Sequence, residues 1–241
     1  MKPKQQTPEQ IQLQKYVDGG AYHWRLDERI LVSFKQSTIY RRVYSKITEL
    51  NPKRIADVGC GDGYFTSVLL QNFWDVVGVD YSYLPLSFAK LKLNGRMLVQ
   101  GDAKNLPFKP ESFDLVCCVE TLEHNNLKNI PEIIKQIHQS LKEGGRLILT
   151  VPSVNIPLSK QHYSHFSKKS LESQLRVFSN VDIEGICCYE TMMFDFFFRS
   201  VSNKLWQFSR LRTFLCNQVY NRFYANCKPE EASSLMALCQ K

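Results

Sequence analysis

Between Arg54 and Thr66 the chain reads Arg-Ile-Ala-Asp-Val-Gly-Cys-Gly-Asp-Gly-Tyr-Phe-Thr, an apolar strand that runs into a glycine turn and then opens a helix. Gly59, Gly61 and Gly63 fall at every second position, so little side chain stands between the backbone N–H groups and a ligand. The helix N-terminus that follows can face an anionic group. Roughly 20 residues on, the spacing at which nucleotide folds place a ribose-binding acid, the run Val76–Asp80 ends on a carboxylate that can accept from both ribose hydroxyls. A dinucleotide fingerprint, Gly-x-Gly-x-x-Gly, would need glycine at position 64; Tyr64 stands there, which disfavours hydride transfer.

Chemistry at these points needs a scaffold that delivers each residue to one end of a sheet. Strand-like runs at about 53–58, 75–80, 96–101, 113–119 and 145–151 alternate with helical patterns at about 63–72, 83–93 and 131–142. This alternation predicts a parallel, doubly wound α/β sheet. The helix at 131–142 has Pro131 at its first position, Ile133, Ile134, Ile137 and Leu141 on one face, and Gly144-Gly145 as its stop. Upstream, Ile30, Leu31, Phe34, Ile39, Val43, Ile47 and Leu50 predict a helix over about 28–50. Residues 1–27 read as a polar lead-in with a break at Asp18-Gly19-Gly20 and Trp24 as its candidate anchor.

Two further strand ends carry Gln100-Gly101-Asp102-Ala103 and Phe113–Glu120 followed by Thr121-Leu122-Glu123-His124, and Leu141–Leu147 leads into the fifth strand. With these motifs in order over about residues 50–180, the chain resembles the class I S-adenosylmethionine-dependent methyltransferases, especially the group acting on small molecules, quinone precursors and lipids. The resemblance implies a Rossmann-like, doubly wound α/β sheet of seven strands, mostly parallel with an antiparallel last strand. It divides the chain into an N-terminal helical cover, 1–50, and a methyltransferase domain, 51–241, with a helical insertion at about 191–226. It also implies residue roles. Asp57, Gly59, Cys60 and Gly61 would hold the methionine part of S-adenosylmethionine, with Asp57 on the amino side. Asp80 would bind the ribose and Tyr81 would lie against the adenine. Asp102 would accept from the exocyclic amine, Ala103 would supply a backbone N–H, and Glu120 would line the mouth where cofactor and acceptor meet.

A sulfonium is already an activated methyl donor, so such an enzyme must mainly align a nucleophile and exclude water. A base is needed only where the acceptor must lose a proton. His124 is the catalytic candidate, because Glu120-x-x-Glu123-His124 lies just beyond a strand end, where open α/β sheets bind ligands. A capping or exposed imidazole is the competing reading. Glu120, Glu123 and His124, joined by His162 or His165, also offer oxygen and nitrogen ligands for a divalent metal. A similar Glu-x-x-Glu-His occurs in small-RNA 2′-O-methyltransferases and ubiquinone-pathway O-methyltransferases, where divalent ions matter, but also in relatives not expected to bind metal, so a divalent metal stays open as the disfavoured reading. Tyr163 and Phe166 are expected to pack their loop on the sheet rather than stack on an aromatic acceptor, and His138 to face solvent.

Composition bounds the rest. A net charge of +8 permits anionic partners but does not show a concentrated basic track, and no Lys/Arg cluster with interleaved aromatics lies outside the insertion. Nucleic acid is therefore disfavoured as a partner. The eight cysteines form no Cys-x-x-Cys, which points to buried, reduced thiols in a cytosolic protein. The N-terminus lacks the apolar core of a signal peptide. The amphipathic insertion, with Arg199, Arg210 and Arg212, is open between ordinary packing, a lid over an apolar acceptor, and peripheral contact with an acidic membrane. The expected function is methyl transfer to a small, apolar or lipid-like acceptor, with oxygen favoured. The alternatives are small-RNA 2′-O-methylation and a non-catalytic cofactor-binding protein at a membrane surface.

Overall fold

The computed structural model describes residues 6–25, 31–95, 97–188 and 227–241. The expected insertion at 191–226 lies outside these residues. The strands are β1 Arg54–Val58, β2 Asp75–Asp80, β3 Leu98–Gln100, β4 Phe113–Val119, β5 Leu141–Pro152, β6 Asn180–Cys188 and β7 Ala232–Gln240. They form one sheet in the order β3-β2-β1-β4-β5-β7-β6. β1 to β5 pair in parallel, and β7 runs antiparallel to both β5 and β6.

The central strands are continuous apolar runs because both faces of the sheet are covered. One layer joins Val116, Cys118 and Leu149 to Ile133, Ile134 and Ile137 of helix α5 (Ile130–Ser140). The opposite layer joins Leu115, Cys117 and Ile148 to Ile39, Val43 and Ile47 of α2 (Leu31–Leu50), with Phe65 and Leu69 of α3 (Tyr64–Leu69). Adjacent Cys117 and Cys118 thus point to opposite faces, as strand geometry demands, and both are free, as are buried Cys60 and Cys239. The sheet reverses its winding between β1 and β4, so a crevice opens at their C-terminal ends, where ligands bind in such sheets.

Three features differ from the sequence reading. Residues 8–19 are not a polar lead-in but an ordered helix, α1 (Pro8–Gly19), with a Thr7/Gln10 capping box and proline in the first turn. A 3₁₀ turn, Tyr22–Arg25, follows it. Helix α5 ends at Ser140, four residues before Gly144, because Leu141 already pairs with Phe113 and is fully buried. The residues up to Gly145 are absorbed in a register shift between Phe113 and Leu115, with Gly144 at φ 71°. His138 is half-buried, its ring 5.2 Å from that of Phe178, where the face of α5 meets the loop before β6.

Candidate active site

The glycine turn leaves β1 and folds back over β2. The amides of Gly59 and Cys60 both donate to the Val79 carbonyl, at 2.8 and 3.1 Å, and the Gly61 amide donates to Asp80 Oδ2 at 2.8 Å. The sequence reading aimed these N–H groups at a bound carboxylate; in the structure they tie the turn to the end of β2. What the glycines contribute is space. Gly59, Gly61 and Gly63 have φ of 81°, 54° and 77°, a region that side chains disfavour. A Cβ on Gly59 would stand 2.3 Å from the Thr121 side chain.

Four carboxylates follow at the strand ends. Asp57 closes β1, is 2% exposed, and accepts from Thr66 Oγ1 at 2.6 Å. Burial pushes its pKa up to about 6, the Thr66 bond opposes this, and the charge of Asp80 adds to it. Asp80 closes β2 and also accepts from the Ser82 amide at 2.8 Å. Burial raises its pKa despite these two backbone bonds. Tyr81 next to it is 74% exposed at the rim. Asp102, after β3, accepts from the Lys104 amide at 2.9 Å and pairs with its ammonium at 3.3 Å, and Ala103 stands beside it on the wall of the cleft. Glu120 follows β4 at φ 48°, a strained position for a side-chain residue, held by its amide on Thr150 at 3.1 Å.

These residues line one cleft of about 1100 Å³. Its opposite wall is the N-terminal segment. Tyr16, Tyr22 and His23 all border the cleft, and the turn carrying them is clamped to buried Asp62. The His23 amide and ring reach the Asp62 carboxylate at 3.1 and 3.0 Å, and Trp24 Nε1 donates to the Asp62 carbonyl at 2.8 Å. The sequence reading singled out Trp24 but not its partner Asp62, nor Tyr16, Tyr22 or His23. The Thr7-Pro8-x-Gln10 capping signature was the available sign that this segment is built.

The far end of the cleft gathers Glu120, Glu123, His124 and His162. The loop bearing His162 is fixed by the Tyr163 amide, which donates to the Glu123 carbonyl at 2.7 Å, and Tyr163 Oη donates to Glu9 of α1. Phe166 is buried in the core and so packs this loop on the sheet. Burial pushes the carboxyls of Glu120 and Glu123 up, and Glu123 further because Glu120 sits beside it. Burial pulls His124 down and His162 down to about 3. This end of the cleft is therefore built from neutral imidazoles and reluctant acids. Among the described residues no helix is long and apolar enough to cross a membrane.

Known proteins agree with this architecture. Residues 56–149 match the family described as a methyltransferase domain. A demethylmenaquinone methyltransferase of Staphylococcus epidermidis is 34% identical over 149 residues, covering 57% of this chain and 60% of that protein. One from Lactococcus lactis is 31% identical over 162 residues, covering 62% of each. The chain thus spans about three fifths of the length of these curated relatives. Among solved structures, a possible histamine N-methyltransferase of Thermotoga maritima aligns with TM-score 0.58 and 19% identity over 91% of this chain and 99% of that one. An S-adenosylmethionine-dependent methyltransferase of Archaeoglobus fulgidus aligns with TM-score 0.58 and 17% identity, covering 84% and 94%. At such identity the likeness is one of fold, and the family match adds that residues 56–149, which carry the glycine turn and the acids Asp57, Asp80, Asp102 and Glu120, are similar to methyltransferase domains.

Proposed function

We propose that this chain transfers the methyl group of S-adenosylmethionine to a small, apolar acceptor of the quinone type. The observation that carries the reading is a single cleft with separate polar and reactive ends. Asp57, Asp80 and Asp102 stand along one side, and Glu120, Glu123 and His124 close the other end. Its volume of about 1100 Å³ exceeds the roughly 300–1000 Å³ of an ordinary small-ligand site, which leaves room for cofactor and acceptor together.

The residues fit the cofactor. Buried Asp57 would take its cationic end, Asp80 the ribose, and Asp102 with Ala103 the base; that all four line the cleft supports these roles. When bound, the cofactor supplies an activated methyl on a sulfonium. The protein's own task is alignment and dryness. Tyr16, Tyr22 and Tyr40 wall the cleft from the N-terminal side, which supports reading the N-terminal region as a cover. A proton on the acceptor has two destinations, Glu120 and the Nε2 of His124, whose Nδ1 is engaged at 3.0 Å by the Gln161 carbonyl. Relatives named demethylmenaquinone methyltransferase support the quinone class of acceptor. Oxygen is the attacked atom that the sequence reading favours. Buried, free Cys60, Cys117, Cys118 and Cys239 agree with a reducing, cytosolic setting.

Calorimetry with S-adenosylhomocysteine tests the first half, with binding expected for the full chain and at least a tenfold loss in Asp80→Ala. The second half is tested with methyl-labelled cofactor offered reduced demethylmenaquinone, small RNA or no acceptor. Label in the quinone fraction, with the attacked atom read by mass spectrometry, is the expected result. Label in RNA, or binding without transfer to any acceptor, overturns the proposed acceptor.

A further inference from the structure

Behind the reacting end of the cleft, Glu123, His124 and His162 converge. One carboxylate oxygen and one ring nitrogen from each histidine lie within 4.8 Å of one another. The hydrogen bonds around them fix which ring nitrogens carry protons. Nδ1 of His124 faces the Gln161 carbonyl at 3.0 Å, and a carbonyl only accepts, so that nitrogen holds the proton and Nε2 is bare. The same reasoning passes through two rings on the other side. His165 Nδ1 faces the Ile156 carbonyl at 3.2 Å and holds its proton, leaving Nε2 to accept. His162 Nδ1 lies 2.8 Å from that Nε2 and must donate to it, so the remaining nitrogen of His162 is bare as well.

The convergence therefore sets two bare imidazole nitrogens beside the buried Glu123 carboxyl, with no imidazole proton between them. Glu123 is 1% exposed, and its Oε2 has no hydrogen-bond partner; the same holds for the buried Oε1 of Glu120 alongside. Glu123 Oε1 is 3.8 Å from His124 Nε2, too long for a hydrogen bond even were the acid protonated. Buried acceptors facing one another are costly unless a proton or a cation joins them, and at 3.8 Å a proton on Glu123 does not bridge to His124. We infer that Glu123, His124 and His162 form a binding site for one divalent transition-metal ion of the Zn²⁺ type. Two imidazoles with one carboxylate favour such an ion over Mg²⁺ or Ca²⁺, which prefer all-oxygen shells. His165 stands outside the ligand set and acts as a positioning residue, since it fixes the tautomer of His162 through their 2.8 Å bond. A cation at this place occupies Nε2 of His124 and leaves Glu120 to receive any proton from the acceptor.

The test uses the full chain, stripped with chelator, and Zn²⁺ alone as the probe in titration calorimetry. One equivalent per chain is expected, with affinity at least tenfold weaker in Glu123→Gln and His162→Ala. His165→Ala should weaken it by about 10- to 100-fold, the usual cost of losing a ligand's outer partner. His138→Ala, on the far side of α5, should bind as the parent does. Binding of S-adenosylhomocysteine, measured in parallel, reports folding of each variant. Half-buried His162 keeps the test alive if Glu123→Gln does not fold. Zn²⁺ binding that is absent, or equal in all four variants, overturns the inference. A parent chain that binds S-adenosylhomocysteine but not Zn²⁺ would sink this site while leaving the proposed cofactor intact, and the reverse pattern would do the opposite.

Discussion

Gly61 sits beneath the N-terminal helix, and replacing it by alanine should loosen that helix before anything else. At φ 54° an alanine is held in the left-handed region, which costs roughly 1–2 kcal/mol. Its Cβ would also stand 2.8 Å from Tyr16 Oη. Tyr16 is 5% exposed and lies on α1, so the helix must yield, at an overpacking cost of roughly 1–3 kcal/mol. Gly61→Ala should therefore destabilise by about 2–5 kcal/mol, a fall in Tm of roughly 4–20 °C for a chain of this size. Tyr16→Phe removes the clashing oxygen and leaves the next ring atom at 3.9 Å, an ordinary contact. By itself it costs about 1 kcal/mol through the lost hydrogen bond to Tyr22. The double variant should be more stable than the sum of the singles by about 1–2 kcal/mol, while the backbone cost remains. Denaturant melts of all four proteins, with limited proteolysis of residues 6–25, read both effects. Additivity within about 0.5 kcal/mol would refute the claim that α1 rests on the glycine turn through Tyr16.

Asp57 should make stability pH-dependent. Its folded pKa, about 6, lies above that of the unfolded chain, so the folded state holds the proton more tightly. The contribution is present below about pH 4 and lost as pH rises through 6, for up to roughly 3 kcal/mol. Asp57→Asn should flatten this slope in pH-dependent melts, and an unchanged profile would contradict the assignment. Binding of the cationic cofactor should tighten over the same pH range as Asp57 ionises, which titrations at pH 5 and pH 7 would show. Ile137, fully buried between α5 and the sheet, should cost about 2–5 kcal/mol as alanine without changing the affinity of the folded protein for S-adenosylhomocysteine.

The sheet was legible because its strands are local events. Runs such as Val76–Val79 and Leu115–Val119 are apolar on both faces, and each ends on an acid that can only sit at the open end of a strand. Asp57, Asp80, Asp102 and Glu120 could be named in advance for that reason, since a parallel sheet brings every strand's C-terminus to one side. The end of α5 was misplaced because Leu141, which continues the helical face in sequence, is claimed instead by Phe113 across the sheet. That pairing is a tertiary competition, and helical spacing does not register it. The same holds for the N-terminal segment, whose partner Asp62 lies 39 residues from His23.

By itself, then, the sequence determined a parallel, doubly wound sheet and the acids at its strand ends, because these follow from periodicity and chain order, while the seven-strand count and the antiparallel last strand came from the family resemblance. The tertiary structure decided how the glycine turn spends its amides, on Val79 and Asp80, and what stands across the cleft from it. It also decided which nitrogens of His124, His162 and His165 are bare. A tautomer is set by the carbonyl that a folded loop happens to present, and no spacing along the chain encodes that contact.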